Sequence, residues 1–299
     1  MSDELLYCVR VNDNSDGFEL AAEMLAALDL QFSSWEDREN HRVIHTAYAL
    51  TPEEGRNNLE RIRKAVADWT PLGLNVGEIE FFEMKKEDWS EAWKKYFKLI
   101  PISDRLIIRP SWLECVPKPG QKVLQIDPGM TFGTGQHATT LFCLKMIDRF
   151  SADPEVESLL DAGCGSGILS IAGALLGYQP VDAFDYDPDA VAVTRENLAR
   201  NGIAGVEPAC ADAADYPGRP EKYDLVCANI LGHLLKAYRH NIAGWVRHGG
   251  YLALAGILST EFDSLSKAFC EIGFEEVERE TLREWTSGLF RKRRHPSSF

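Results

Sequence analysis

Apolar positions recur at two different spacings along this chain, and the change of spacing divides it. In the first part, residues 5–11 and 76–83 read as strands. Residues 31–35 and 42–50 read as two more, on either side of a polar turn at 36–41. Residues 18–28 carry apolar side chains at helical spacing, with Asp16 placed as an N-cap. Thr51-Pro52-Glu53-Glu54 is a helix start: a capping threonine, proline at the first helical position, then acids near the positive helix end. That helix is predicted to run to about Trp69. The order β-α-β-β-α-β is the ferredoxin-like arrangement, so residues 1–84 are expected to form a small α+β domain.

Residues 85–100 are expected to form an amphipathic linker helix. Trp89, Trp93 and Phe97 stand four apart and share one face, which packing against a domain would explain. From residue 101 to 299 the pattern changes. Short apolar runs at 159–162, 181–186, 223–228 and 251–255 alternate with helical stretches at 168–176, 189–201, 231–246 and 261–270. Alternating strand and helix predicts an α/β, doubly wound parallel sheet with helices on both faces. Ligands of such sheets sit beyond the carboxyl ends of the strands.

Composition narrows the class. The chain has 299 residues, 45% hydrophobic and 26% charged, which excludes collagen, low-complexity disorder and a disulfide scaffold. No apolar run approaches the ~20 residues that cross a bilayer. The start, Met1-Ser2-Asp3-Glu4, lacks the basic region of a secretory signal, so a cytoplasmic protein is expected. The net charge is −14, from 32 basic and 46 acidic residues. Nucleic-acid binders usually show the opposite balance; an acidic surface is compatible with a basic partner and is also ordinary for soluble cytosolic enzymes, and no membrane partner is expected. Seven cysteines, an odd number with no C-x-x-C pair, argue against a disulfide framework and a zinc ribbon, and no metal site is expected.

The chemistry is expected where the strand at 159–162 runs into Gly163-Cys164-Gly165-Ser166-Gly167 and a helix follows. Glycines there let the backbone turn sharply and a ligand approach closely. The spacing is G-x-G-x-G, unlike the G-x-G-x-x-G of dinucleotide enzymes, and no P-loop lysine follows. Asp185 stands at the end of the next strand, where an acid can accept from both ribose hydroxyls, while Asp187 is the better helix cap. Loop and acid together describe a nucleoside site. S-adenosyl-L-methionine, with a ribose and an amino-acid end but no phosphate, fits best.

Asp161-Ala-Gly-Cys-Gly-Ser-Gly167 resembles the first motif of class I methyltransferases. Asp127-Pro-Gly-Met-Thr-Phe-Gly-Thr-Gly-Gln-His-Ala-Thr-Thr140, Asn229-Ile-Leu231 and Glu284-Trp285 together resemble the PrmA family, bacterial methyltransferases of the large-subunit ribosomal protein L11. The resemblance covers residues 89–293. Ala138 stands where the family usually has proline, and Thr131 and Gly232 where it often has alanine.

The resemblance implies a Rossmann-like methyltransferase domain behind a small substrate-recognition domain. It implies S-adenosylmethionine bound by Thr140, Gly163, Asp185 and Asn229, with the backbone around Gly163 and Gly165 beside the methionine end. Asn229 is the catalytic candidate, since it follows the strand where the target amine must enter. Capping of the next helix is the other role open to it. The implied activity is trimethylation of lysine side chains and of the N-terminal α-amine of a ribosomal protein, by a monomer that needs no nucleic acid.

Asn229-Ile-Leu231 replaces the N-P-P-[YF] of glutamine and adenine methylating enzymes, and the glycine spacing excludes a nicotinamide oxidoreductase. A lysine methyltransferase of another protein stays open. So do the roles of His137 (loop anchor or base), Asp212 (adenine ligand or surface acid) and Trp285 (cavity wall by cation–π contact, or core).

Overall fold

The computed structural model describes residues 5–14, 19–28, 30–37, 42–72, 74–85, 98–127, 137–219 and 222–294. Residues 1–97 and 98–299 form two compact units. The proposed cap Asp16, most of the linker at 85–100 with Trp89, Trp93 and Phe97, and the loop at 128–136 lie outside the described residues.

In the first unit the elements are β1 (Leu5–Asp13), α1 (Glu19–Ala27), β2 (Phe32–Asp37), β3 (Arg42–Ala49), α2 (Pro52–Trp69) and β4 (Val76–Lys85). The strands pair antiparallel in the order β2-β3-β1-β4, the ferredoxin-like topology. Lys85 ends β4. Thr51 caps α2, its Oγ1 accepting from the Glu54 N–H at 3.2 Å, with Pro52 behind it. Gly55, Asn58, Ile62 and Ala65, three or four apart, form the buried stripe of α2. Ile62 and Ala65 join Val9, Val11, Met24, Leu25 and Ala47 in one apolar core.

The second unit begins with a small sheet of β5 (Ile100–Pro101), β6 (Leu106–Arg109) and β7 (Lys122–Gln125). Then come α3 (Ala138–Phe150), β8 (Leu159–Ala162), α4 (Ile168–Leu176), β9 (Val181–Asp185), α5 (Pro188–Arg200) and β10 (Ala209–Cys210). They are followed by β11 (Tyr223–Asn229), α6 (Gly232–Ala237), α7 (Arg239–Trp245), β12 (Val246–Leu258), α8 (Ser259–Glu271), β13 (Phe274–Leu282) and β14 (Trp285–Lys292). The stretch expected as one helix at 231–246 is two short ones, interrupted at Tyr238.

The main sheet has seven strands in the order β10-β9-β8-β11-β12-β14-β13. Strands β8 to β12 run parallel, and β14 lies antiparallel between β12 and β13. Side chains alternate between two cores, one on each face. Leu159, Leu225 and Cys227 face the core built with α3 and α4. Leu160, Val226 and Ala228 face the core built with α6, α7 and α8. Burial on both faces explains why these strands are continuously apolar. Strand order reverses between β8 and β11, so their carboxyl ends open the crevice where such sheets take ligands.

Candidate active site

The loop after β8 turns on glycines. Gly163, Gly165 and Gly167 have φ of 79°, 54° and 79°, a left-handed geometry that side chains resist. A Cβ on Gly163 would also lie 2.4 Å from Ile230 Cγ2, so the loops after β8 and β11 touch only because that side chain is absent. The Gly163 and Cys164 N–H groups both donate to the Phe184 carbonyl, which locks the loop against β9.

That anchoring presents Asp185, the last residue of β9. Its Oδ2 accepts from the Gly165 N–H at 2.9 Å and its Oδ1 from the Asp187 N–H at 3.1 Å. A carboxylate has about four lone-pair positions, so two remain for further donors. Asp187 itself caps α5, accepting from the Asp189 N–H.

Asn229 ends β11. Its Nδ2 donates to Thr140 Oγ1 at 3.4 Å, bridging to the first turn of α3, while its Oδ1 is buried without a hydrogen-bond partner among the described residues. Leu231, not Asn229, occupies the N-cap position of α6, and no side chain caps that helix. The capping alternative for Asn229 is therefore not what the fold uses.

Thr140, Gly163, Gly165, Asp185 and Asn229 line one cavity of about 530 Å³, together with His137, Asp212 and Trp285. His137 is the N-cap of α3, its Nδ1 paired with Thr139, and its ring meets Trp285 edge to face at 5.3 Å. It thus anchors the entry to α3 while lining the cavity. Asp212 does two jobs as well, accepting from the Ala214 N–H at 2.8 Å on the cavity wall. Trp285 is a wall residue rather than core.

Asp161 sits beneath the loop, fully buried. Its Oδ2 accepts from both the N–H and the hydroxyl of Ser170, at 3.0 and 2.6 Å, and its Oδ1 has no partner among the described residues. Burial pushes its carboxyl up to about 6, against the pull of the Ser170 hydrogen bonds.

Tyr186, Tyr238 and Gly256 also line the cavity and were not anticipated. Gly256 carried a legible signal: a glycine inside the apolar run of β12 marks close backbone approach. Its φ is 82°, and a Cβ there would lie 2.6 Å from the Ile230 carbonyl oxygen. Tyr238 carried none, since the 231–246 pattern reads as one unbroken helix.

A seven-stranded sheet of this order, with a glycine loop after the first strand of its parallel set and an acid after the second, defines a class I methyltransferase fold. The profile of the ribosomal protein L11 methyltransferase (PrmA) family matches residues 18–293. A ribosomal protein L11 methyltransferase of Ruminiclostridium cellulolyticum is 33% identical over 281 residues, 92% of this chain and 88% of that one. One of Citrifermentans bemidjiense is 41% identical over 213 residues, 70% of this chain and 68% of that one. The crystal structure of a ribosomal protein L11 methylase from Lactobacillus delbrueckii subsp. bulgaricus superposes with a TM-score of 0.59 at 29% identity, covering 66% of this chain and all of that one. The chain belongs to the ribosomal protein L11 methyltransferase family.

Proposed function

We propose that this protein is an S-adenosylmethionine-dependent protein N-methyltransferase of ribosomal protein L11, which trimethylates lysine side chains and the N-terminal α-amine. The observation that carries the reading is the buried, unpartnered Oδ1 of Asn229, a residue that lines the same cavity as Asp185 and the glycine loop. An unsatisfied buried amide oxygen costs about 1–3 kcal/mol, a cost that a bound N–H removes.

The residues suit the cofactor. The free lone pairs of Asp185 take the ribose hydroxyls, and the backbone at Gly163 and Gly165 takes the methionine end. The Thr140 hydroxyl, which accepts from Asn229, keeps its own proton to donate to the methionine carboxylate at the start of α3. When bound, S-adenosylmethionine supplies a methyl group activated by its sulfonium charge.

The protein supplies position and desolvation. Asn229 Oδ1 accepts an N–H of the incoming amine and aims its lone pair. Neutralising a lysine of pKa ~10.4 at pH 7 costs about 4.6 kcal/mol, at 1.36 kcal/mol per unit. The apolar walls formed by Ile230 and Leu231 disfavour the ammonium and lower that cost, so no dedicated base is assigned.

In this reading residues 1–84 recognise the protein substrate, residues 85–100 link, and residues 101–299 bind the cofactor and carry out the transfer. The enzyme works as a cytoplasmic monomer. The test is mass spectrometry of purified large-subunit proteins incubated with labelled cofactor, with and without the enzyme. Label on lysines and the N-terminus of ribosomal protein L11 is expected. Label on a different protein would replace the substrate, and no label at all would overturn the activity.

A further inference from the structure

Three apolar side chains form a row across the sheet beside the cavity. Leu258 of β12 pairs with Trp285 of β14, which pairs in turn with Leu282 of β13. Directly opposed residues on neighbouring strands project to the same face with Cβ atoms about 5 Å apart. Trp285 lines the cavity, whereas Leu258 and Leu282 stay 41% and 51% exposed. Leu231, on the wall of the same cavity, is 56% exposed.

The row is held rigidly. Ser259 donates through both its N–H and its hydroxyl to the Glu284 carbonyl, at 2.8 and 3.0 Å, and the Trp285 indole N–H donates to Glu284 Oε1. Arg283 forms the tight turn at φ 56°, in the left-handed region that glycine would take more cheaply. A fold that fixes an exposed apolar row on a strained hairpin tip presents a surface to a partner.

Charge says which partner. Glu278 and Glu280 of this hairpin are neutralised by Arg149 and Lys145, at 2.9 and 2.8 Å. Glu261 and Glu284, both exposed, are in no ion pair among the described residues. A Cβ on Gly232 would lie 3.1 Å from Glu261 Oε2, so glycine at 232 lets this carboxylate lie against the end of the cavity wall. Two carboxylates without an ion pair among the described residues, set against the one positive charge of Arg283 at the tip, leave the apolar row beside a net negative charge, which suits a cationic segment with an apolar neighbour. They repel nucleic acid, and the net charge of −14 opposes a second copy of this chain.

We propose that Leu258, Leu282 and Glu261, around Trp285, dock the stretch of substrate polypeptide that flanks the target amine, and that they select an apolar residue beside a second positive charge. The proposal rests on the reading of the substrate as a protein amine. The test is steady-state methylation of ribosomal protein L11 by the full-length enzyme and two variants. Leu282→Ser should raise KM for the protein about fivefold, the loss of part of one leucine's burial, with kcat and cofactor affinity unchanged. Glu261→Gln should raise KM about threefold at low salt, with the gap narrowing near 0.5 M, where the Debye length is about 4 Å. Unchanged KM in both variants, with wild-type methylation normal, overturns the docking surface alone. A sedimentation change without a kinetic one reassigns the row to self-association and also overturns it. Failure of the wild-type enzyme to methylate ribosomal protein L11 overturns the substrate reading and this surface together.

Discussion

Asp161 shows how a single residue can be legible in type and illegible in state. Its place before the glycine loop is plain in the sequence, but its complete burial and idle Oδ1 come from packing that no local pattern reveals. Because folding raises its pKa from 3.8 to about 6, the protonated acid is the form the fold favours. Its contribution to stability is full below the unfolded pKa and lost as pH rises through the folded one. The difference in unfolding free energy between wild type and Asp161→Asn should therefore shift against the wild type by about 2 kcal/mol between about pH 4 and pH 7. Denaturant melts across that range measure it, and a flat difference would mean that the buried acid is not shifted. Asn229 makes a sharper functional case. Asn229→Ala should reduce turnover about 10–100-fold, the loss of one or two good hydrogen bonds, and barely move the ligand-free melting temperature. Lower stability with normal turnover would return Asn229 to a structural role.

Among the elements, burial on both faces decided what could be read. The parallel strands β8, β9, β11 and β12 are apolar runs because each side meets a helical layer. Strand β13, Phe-Glu-Glu-Val-Glu-Arg-Glu-Thr-Leu, lies at the sheet edge with glutamates on both of its faces, and β10 has two residues; neither gives a period to detect. The strand core at 251–255 was visible, but its extension to Val246 and Leu258 was not. The glycine loop and Asp185 were recoverable because they are local, whereas the approach of β12 to the loop after β11 depends on the assembled sheet. Gly256→Ala tests that approach. The new Cβ must displace the Ile230 carbonyl and with it the loop that follows Asn229. A loss of about 1–3 kcal/mol of stability is expected, together with weaker cofactor binding by calorimetry. Wild-type affinity in a destabilised variant would confine Gly256 to the sheet.

At the scale of the whole molecule, the two compact units divide the labour proposed above. The β-α-β-β-α-β pattern of the first was readable because its helices and strands carry clean periods, and α2 announces itself through Thr51 and Pro52. What it binds was not readable, since this topology serves many functions. A chain beginning at Lys98 contains every described residue of the cavity. It should bind S-adenosylmethionine with near wild-type affinity and lose methylation of ribosomal protein L11. Full activity of that fragment would remove the recognition role from the first unit.

The placement of β14 bears on how the protein is made. The last described strand is threaded between two strands that precede it, and β13 pairs with no other described strand. Until Trp285 to Lys292 has left the ribosome, β13 has nothing to join and one wall of the cavity is missing. A nascent chain can therefore form its parallel strands early, but it cannot close this cavity before β14 has emerged. A stop codon shortly before Trp285 would spare every residue of the glycine loop and still yield an open, inactive sheet.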